Sequence, residues 1–388
     1  MVKKKPRART LGSMGGKKVV VAMSGGIDSS VAATLLKERD FDVIGIFMKF
    51  WSEPGVEGAW NRCCSPEAEA KARWVAKSLG IPFYVFNVEK EFKKRIVDYF
   101  LTEYKAGRTP NPCVVCNKEI KFGLLLEKAL VLDADFVATG HYARVVDVDV
   151  RRQHKQNQRI KLLKLLKGRD KNKDQSYFLW MLSQNQLRRI LFPVGDYTKD
   201  KVRNLAKRFN LPVLDIPESM EICFIRTTLN DFLARHLQSK PGPIICAMSN
   251  IAHKGEKWKV IGKHKGLPFY TIGQRKGIEL PGGPFYVVGK DLKKNTLIVT
   301  PFFNDKKLYS KSLITKNVNW LSGREPKLPL KIKAQIRYGH KAVTATIIKK
   351  LKGGKIELVF SRPQRAITPG QSVVFYQGDE IVGGGIIC

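Results

Sequence analysis

The chain has 388 residues, 43% of them hydrophobic and 10% aromatic, which is enough apolar material for two or three packed domains and excludes a wholly disordered polymer. No apolar run approaches the roughly 20 residues needed to cross a bilayer, so a soluble protein is expected. Lys and Arg number 70 against 34 Asp and Glu, a net charge of +36 whose self-repulsion a polyanion, nucleic acid first, would most simply offset; a generally basic proteome is the plainer source.

The segment 1–16 carries Lys3, Lys4, Lys5, Arg7 and Arg9 with no acid, and is expected to be a basic, solvated tail. Lys18–Met23 predicts a short buried strand, followed by a turn over Ser24–Asp28 and a helix over Ser29–Arg39. Asp42–Met48 predicts a second strand, Pro66–Leu79 a helix with Pro66 in its first turn, and Phe83–Val88 a third strand. Glu89–Ala106 and Asn117–Leu132 predict helices, and Asp135–Thr139 a further strand. Alternating strands and helices imply βαβ units and an α/β, doubly wound parallel sheet across 17–211. Val146–Lys173, basic and polar, predicts an exposed hairpin or loop outside the core. Closely spaced Gly and Pro mark a small β-rich central domain over 212–290. Alternating runs such as Lys331–Arg337, Ala342–Ile348, Lys355–Phe360 and Ser372–Tyr376 predict a C-terminal β-barrel of about six strands across 291–388.

Seven cysteines are present (Cys63, Cys64, Cys113, Cys116, Cys223, Cys246 and Cys388), and no signal-peptide core precedes them. A reducing, cytoplasmic setting is expected, where clustered cysteines more often carry catalysis or metal than structural bridges.

The run Ala22-Met23-Ser24-Gly25-Gly26-Ile27-Asp28-Ser29 leaves a strand and opens a helix. Consecutive small residues let backbone N–H groups converge on an anion, and the helix N-terminus adds partial positive charge. Ser24 and Ser29 offer hydroxyls. Asp28 cannot face phosphate unaided and is expected to meet a bridging Mg2+. The run has no Walker lysine, which separates it from the usual P-loop; an ordinary Gly-rich turn is the alternative it leaves open.

Ser24–Ser29 resembles the SGGxDS loop of the PP-loop ATP pyrophosphatases, which cleave ATP between the α- and β-phosphates and adenylate a carbonyl oxygen. Further motifs follow in order: Gly45–Lys49, Gly107–Pro112 with Cys116-Asn117-Lys118, Thr139–Tyr142, Asn172–Leu179, Ile222–Ile225, Gly273–Gly277 and Pro369–Ser372. With them, the chain from about Lys17 to Gly384 closely resembles the bacterial tRNA-specific 2-thiouridylases (the MnmA family). The resemblance implies an adenine nucleotide alpha hydrolase-like fold, with ATP and Mg2+ as cofactors. It implies synthesis of 2-thiouridine at the wobble position of tRNAs for Lys, Glu and Gln, releasing AMP and pyrophosphate. ATP contacts are implied at Ala22, Met23, Ser24, Gly25, Gly26, Ile27, Asp28, Ser29, Met48 and Gly140.

The chemistry explains the cysteines. A uracil C2 oxygen leaves poorly until AMP is placed on it, and sulfur then arrives from a protein persulfide that a second thiolate discharges by closing a disulfide. The resemblance assigns the persulfide to Cys223 and the disulfide-forming nucleophile to Cys116, with a cysteine desulfurase or sulfur-relay protein as donor. Cys113 stands where many members have an aspartate directed at the target base, a role less suited to a thiol at neutral pH. It also creates Cys113-Val114-Val115-Cys116, a CxxC that by itself suggests half a zinc site or a redox dithiol, although no second CxxC or neighbouring histidine completes zinc. An iron–sulfur cluster on Cys113, Cys116 and Cys223 is one alternative. An inactive basic tRNA-binding protein is another.

The resemblance further implies tRNA contacts at Asn111, Pro112, Cys113, His141, Lys173, Asp174, Gln175, Arg337, Tyr338 and Gln371. Plainer readings stand beside several of these: a satisfied core histidine for His141, a solvated loop for Lys173–Gln175, and core packing for Met48. Cys63, Cys64, Cys246 and Cys388 are expected to be thiols without a role.

Overall fold

Val19, Val20 and Val21 have no exposed surface, as a strand covered on both faces requires. They lie in Lys18–Ala22, the central strand of a five-stranded parallel sheet in the computed structural model, which describes residues 7–8, 16–56, 64–151, 159–212, 222–247 and 258–388. The strand order is Phe83–Asn87, Asp42–Lys49, Lys18–Ala22, Phe136–Ala138, Ile190–Leu191. The order reverses between Lys18–Ala22 and Phe136–Ala138, so a crevice opens at their carboxyl ends, where open α/β sheets take ligands. Helices Ile27–Lys37 and Lys199–Arg208 pack together beside that crevice.

Two helices expected to be regular contain wide π-helical turns, at Lys93–Val97 and at Asn117–Leu124. Such turns often mark functional segments. The first keeps Phe92, Ile96, Val97 and Phe100 all on the buried side.

Ala143–Arg151 and Arg159–Lys167 pair along their length as the expected hairpin. Its placement outside the core needs correcting. Val145, Leu163 and Leu165 are buried in a cluster with Trp180, Leu321, Val374 and Ile381. Leu163 and Leu165, two residues apart, share the covered face of their strand, and half-buried Lys164 between them lies on the other. Leu165 and Leu166 pair with Ile381 and Glu380 of the last strand, so one sheet runs from the hairpin into the C-terminal barrel. The barrel closes because Glu380–Ile387 pairs with both Tyr309–Trp320 and Ser372–Gln377; Leu330–Gln335, Val343–Leu351 and Lys355–Arg365 complete its six strands. Between the two units, strands Gly242–Ala247, Trp258–His264, Tyr286–Asp291 and Thr296–Thr300 enclose their own core around Ile244, Val287 and Leu297.

Arg7–Ala8 pairs with Asp147 and Val146 at the hairpin's outer edge. The rest of the basic leader up to residue 15, together with Cys63, Arg152 and Lys155, lies outside the described residues. Among the described residues no helix is long and apolar enough to cross a membrane.

Candidate functional site

The crevice is floored by Ser24–Ser29. The Ser24 N–H donates to Ser29 Oγ at 3.2 Å, the two serine oxygens stand 3.3 Å apart, and Ser29 Oγ donates to the Gly26 carbonyl at 3.0 Å. These contacts hold the turn in shape. Gly25 has φ +72°, and a Cβ there would strike the Ala68 backbone, so glycine is required on two counts. A Cβ on Gly140 would come within 2.7 Å of Asp28 C and Ser29 N, which places the Thr139–His141 turn directly against the loop. Met23 and Met48 are both buried at this edge of the sheet.

Asp28 lies in the first turn of its helix. Lys199 Nζ donates to its two oxygens at 2.8 and 2.9 Å, and Tyr142 Oη donates to Oδ1 at 2.7 Å. The motif itself lacks a lysine, yet the fold supplies one from 171 residues further along. Sequence reasoning missed it. Thr198 caps the helix Lys199–Arg208, and Lys199 is only 4% exposed at its first position. A cation at that positive end of the helix dipole costs about 0.3–1 kcal/mol, so a nearby anion is needed to account for it. Tyr142 ends the Thr139–Tyr142 motif, and the sequence alone assigns it no role.

Both residues that grip Asp28 are held by one loop, 168–176. Asp170 Oδ2 accepts from the Lys199 backbone N–H at 2.9 Å, while Oδ1 accepts from Asn172 and Lys173 N–H at 2.9 and 3.3 Å. These backbone donors, Lys199's foremost, hold the Asp170 carboxyl below the usual range. The Gln175 N–H donates to the Tyr142 carbonyl at 3.0 Å, and Gln175 Oε1 accepts from the Tyr142 N–H at 3.1 Å. Asp174 accepts from Gly168 N–H, Ser176 N–H and Ser176 Oγ, so its carboxylate shapes the loop. Lys173 is half-buried beside it.

The segment before the cysteines sits where all three units meet. Gly107 packs on Leu292, Thr109 Oγ1 lies 3.0 Å from Thr271 Oγ1, and the Thr109 N–H donates to the Pro369 carbonyl at 2.9 Å. Gln371 is turned inward, its Nε2 donating to the carbonyls of Thr109 and Pro110 at 2.9 and 3.2 Å. Asn111 then caps Pro112–Cys116, accepting from the Val114 N–H at 3.4 Å. Cys113 is half-buried and Cys116 buried. This turn packs on Lys93–Val97, and Phe224, next to half-buried Cys223, stands edge-on to Phe100 with ring centres 5.3 Å apart. One helix therefore carries both cysteine segments. Among the described residues no disulfide is formed, and no three metal-ligating side chains stand together. Cys113, Cys116 and Cys223 are thus not gathered as a ligand set, and the iron–sulfur alternative finds no support. Cys64 is buried and accepts from the Phe50 N–H at 3.2 Å.

His141 is buried between Phe122 and Phe192, with Nδ1 2.7 Å from Thr139 Oγ1. Burial, and then the Lys121 cation, push its pKa well below the ordinary value, so the ring is neutral. Arg337 Nη2 donates to Thr368 Oγ1 at 3.0 Å. Tyr338, 36% exposed, lies over Phe178 with ring centres 4.4 Å apart, which joins the barrel to the end of the 168–176 loop.

Residues 17–227 match a family model described as a tRNA methyl transferase HUP domain, 230–301 a tRNA methyl transferase PRC-barrel domain, and 310–387 an aminomethyltransferase beta-barrel domain. The chain is 45% identical over 373 residues to a tRNA-specific 2-thiouridylase MnmA of Geobacillus thermodenitrificans, covering 95% of this chain and 94% of that protein. A protein of the same description from Halothermothrix orenii is 47% identical over 378 residues, covering 95% and 98%. Among solved structures, a 4-thiouridine synthetase–RNA complex with bound ATP is 16% identical, covers 56% of this chain and 50% of that chain, and has a TM-score of 0.33.

Proposed function

The chain belongs to the tRNA-specific 2-thiouridylase family, and from that premise we propose that it is an ATP-dependent tRNA-uridine 2-sulfurtransferase acting in the cytoplasm on the wobble uridine of tRNAs for Lys, Glu and Gln. The observation that carries the reading is the glycine-rich loop at the sheet's switch point, with the Asp28–Lys199 pair inside it. Backbone N–H groups of Ser24–Ser29 take the phosphates of ATP, and Met48 and Gly140 border the adenosine. Lys199 is placed to offset the charge that develops on departing pyrophosphate. Mg2+, when bound, supplies further neutralisation between phosphates. Asp28 is the carboxylate of this loop that would hold it, and one carboxylate plus substrate oxygens suits that ion.

The uracil C2 oxygen attacks the α-phosphorus, a new P–O bond forms, and pyrophosphate leaves. A persulfide on Cys223, loaded by a cysteine desulfurase or sulfur-relay protein, then meets the Cys116 thiolate. Cys116 attacks Cys223 Sγ, a disulfide forms, and the terminal sulfur departs as hydrosulfide. That sulfur adds at C2 and AMP leaves; an external thiol reopens the disulfide. Lys173, Gln175, Arg337 and Tyr338 are the tRNA-facing candidates, with Arg for phosphate and Tyr for stacking. The test is mass spectrometry of nucleosides from tRNA incubated with the protein, ATP, Mg2+ and a persulfide donor. An oxygen-to-sulfur mass gain with tRNA-dependent AMP and pyrophosphate is expected. Release of ADP and phosphate instead would sink the reading.

A further inference from the structure

Asp28 is gripped by two side chains, and each is held in turn by the same loop. Asp170 fixes the first residue of the Lys199 helix through the Lys199 N–H, at 2.9 Å. Gln175 makes a two-way clamp on the Tyr142 backbone, at 3.0 and 3.1 Å. A Cβ on Gly168 would lie 2.7 Å from the Tyr142 carbonyl oxygen, so the loop's first residue is seated on the same backbone. Asp170 and Asp174 together tie the loop to itself through five further hydrogen bonds, from the N–H groups of Asn172, Lys173, Gly168 and Ser176 and from Ser176 Oγ. The loop is thus braced within itself; besides the bond from the Arg169 N–H to the Gly195 carbonyl at 2.9 Å, its attachments through Asp170 and Gln175 lead to one carboxylate in the phosphate-binding turn.

We propose that the loop 168–176 couples tRNA occupancy to the nucleotide site, with Asp170 and Gln175 as positioning residues that set Lys199 and Tyr142 on Asp28. This rests on the preceding reading, in which Lys173 and Gln175 face tRNA. A tRNA that presses on Lys173–Gln175 stiffens both attachments, so ATP meets a turn whose counter-ion is already placed. Coupling of this kind is reciprocal: each ligand raises the other's affinity by the same factor.

The measurement uses the full chain, α,β-methylene-ATP (which cannot be cut between the α- and β-phosphates) and an unmodified transcript of a tRNA for Lys. The analogue's Kd is determined alone and with saturating transcript, and the transcript's Kd with and without analogue. For the wild type, each should tighten the other by about fivefold or more. In Asp170→Ala the coupling factor should fall to near one, whatever the change in each ligand's own Kd. Asp170→Asn keeps an acceptor oxygen for the Lys199 N–H and should restore much of the factor, a recovery that a merely structural role does not predict. If Asp170→Ala does not fold, Tyr142→Phe removes only the hydroxyl of the second arm and should also lower the factor. Full coupling in Asp170→Ala, or none in the wild type with both ligands bound, overturns the proposal. Failure of the wild type to bind either ligand overturns the functional reading beneath it.

Discussion

Replacing Lys199 by methionine keeps the length of the side chain and removes its charge. Asp28 then loses two charge-assisted hydrogen bonds, of 2.8 and 2.9 Å, and keeps only Tyr142 among the contacts described above. Breaking a fully buried ion pair from one side costs about 3–5 kcal/mol. The Asp28 side chain is 30% exposed while that of Lys199 is 5%, so water can take up part of the loss. About 2 kcal/mol is expected, and for a cooperative unit that includes the barrel the unfolding midpoint should fall by a few degrees, about 4 °C or less. Turnover should suffer more, because charge on departing pyrophosphate would lose its partner; removal of one such group costs about 100- to 1,000-fold. The double variant Asp28→Asn/Lys199→Met removes both charges at once, so its midpoint should recover toward the wild type while turnover stays low. Differential scanning fluorimetry and a pyrophosphate-release assay read the two quantities separately. Wild-type turnover in Lys199→Met, or a double variant destabilised by the sum of its singles, would refute the pairing argument.

Three further outcomes are expected. Cys223→Ser should still adenylate tRNA but deliver no sulfur, Cys116→Ser should retain an undischarged persulfide on Cys223, and Cys113→Ser should be the mildest; intact-protein and nucleoside mass spectra check this, and equal damage from all three would contradict the relay. Binding of tRNA, followed by fluorescence anisotropy, should weaken with salt on a log–log slope of several units, and Arg337→Ala should lower affinity broadly without changing the products of ATP cleavage. Glu53 is held by Arg235 at 2.7 and 2.8 Å and by His236 at 2.9 Å, and the Arg235 hydrogen bond foremost lowers its pKa from 4.5. A depressed carboxylate stabilises the fold above its unfolded pKa and ceases to do so as pH falls through the folded value. The midpoint difference between wild type and Glu53→Gln should therefore be full at neutral pH and close below pH 4.5; a constant difference would disprove the assignment.

What was legible in the sequence was local. Val19–Val21 and the glycines after them specify a buried strand, a tight turn and a helix start within a dozen residues, and the structure places that turn where the chain order demands. The alternating runs after residue 309 likewise disclose barrel strands, because period two survives in each strand separately. What stayed hidden depends on distance along the chain. Lys199 reads as an ordinary surface lysine until the fifth strand brings its helix beside the first. Gln371 is implied as a tRNA contact by the resemblance, and only the fold turns its amide onto the carbonyls of Thr109 and Pro110. The π-helical turn at Asn117–Leu124 has no periodic signature short enough to separate it from an α-helix.

The sheet that runs from Arg159–Lys167 into Glu380–Ile387 makes the nucleotide unit and the barrel a single piece of masonry. Gly384 lies so close to the Trp180 ring that any side chain there would collide with it, and Asn319 Nδ2 donates to the carbonyls of Trp180 and Leu182 at 2.7 and 3.0 Å. Modularity is therefore lost. Cut free of the barrel, the N-terminal unit would bare both an unpaired strand edge and the fully buried Trp180, the two features that invite aggregation. The nucleotide-binding half cannot be borrowed as a free-standing part. Its strand Arg159–Lys167 has Glu380–Ile387 as a neighbour, so that half is incomplete without the barrel.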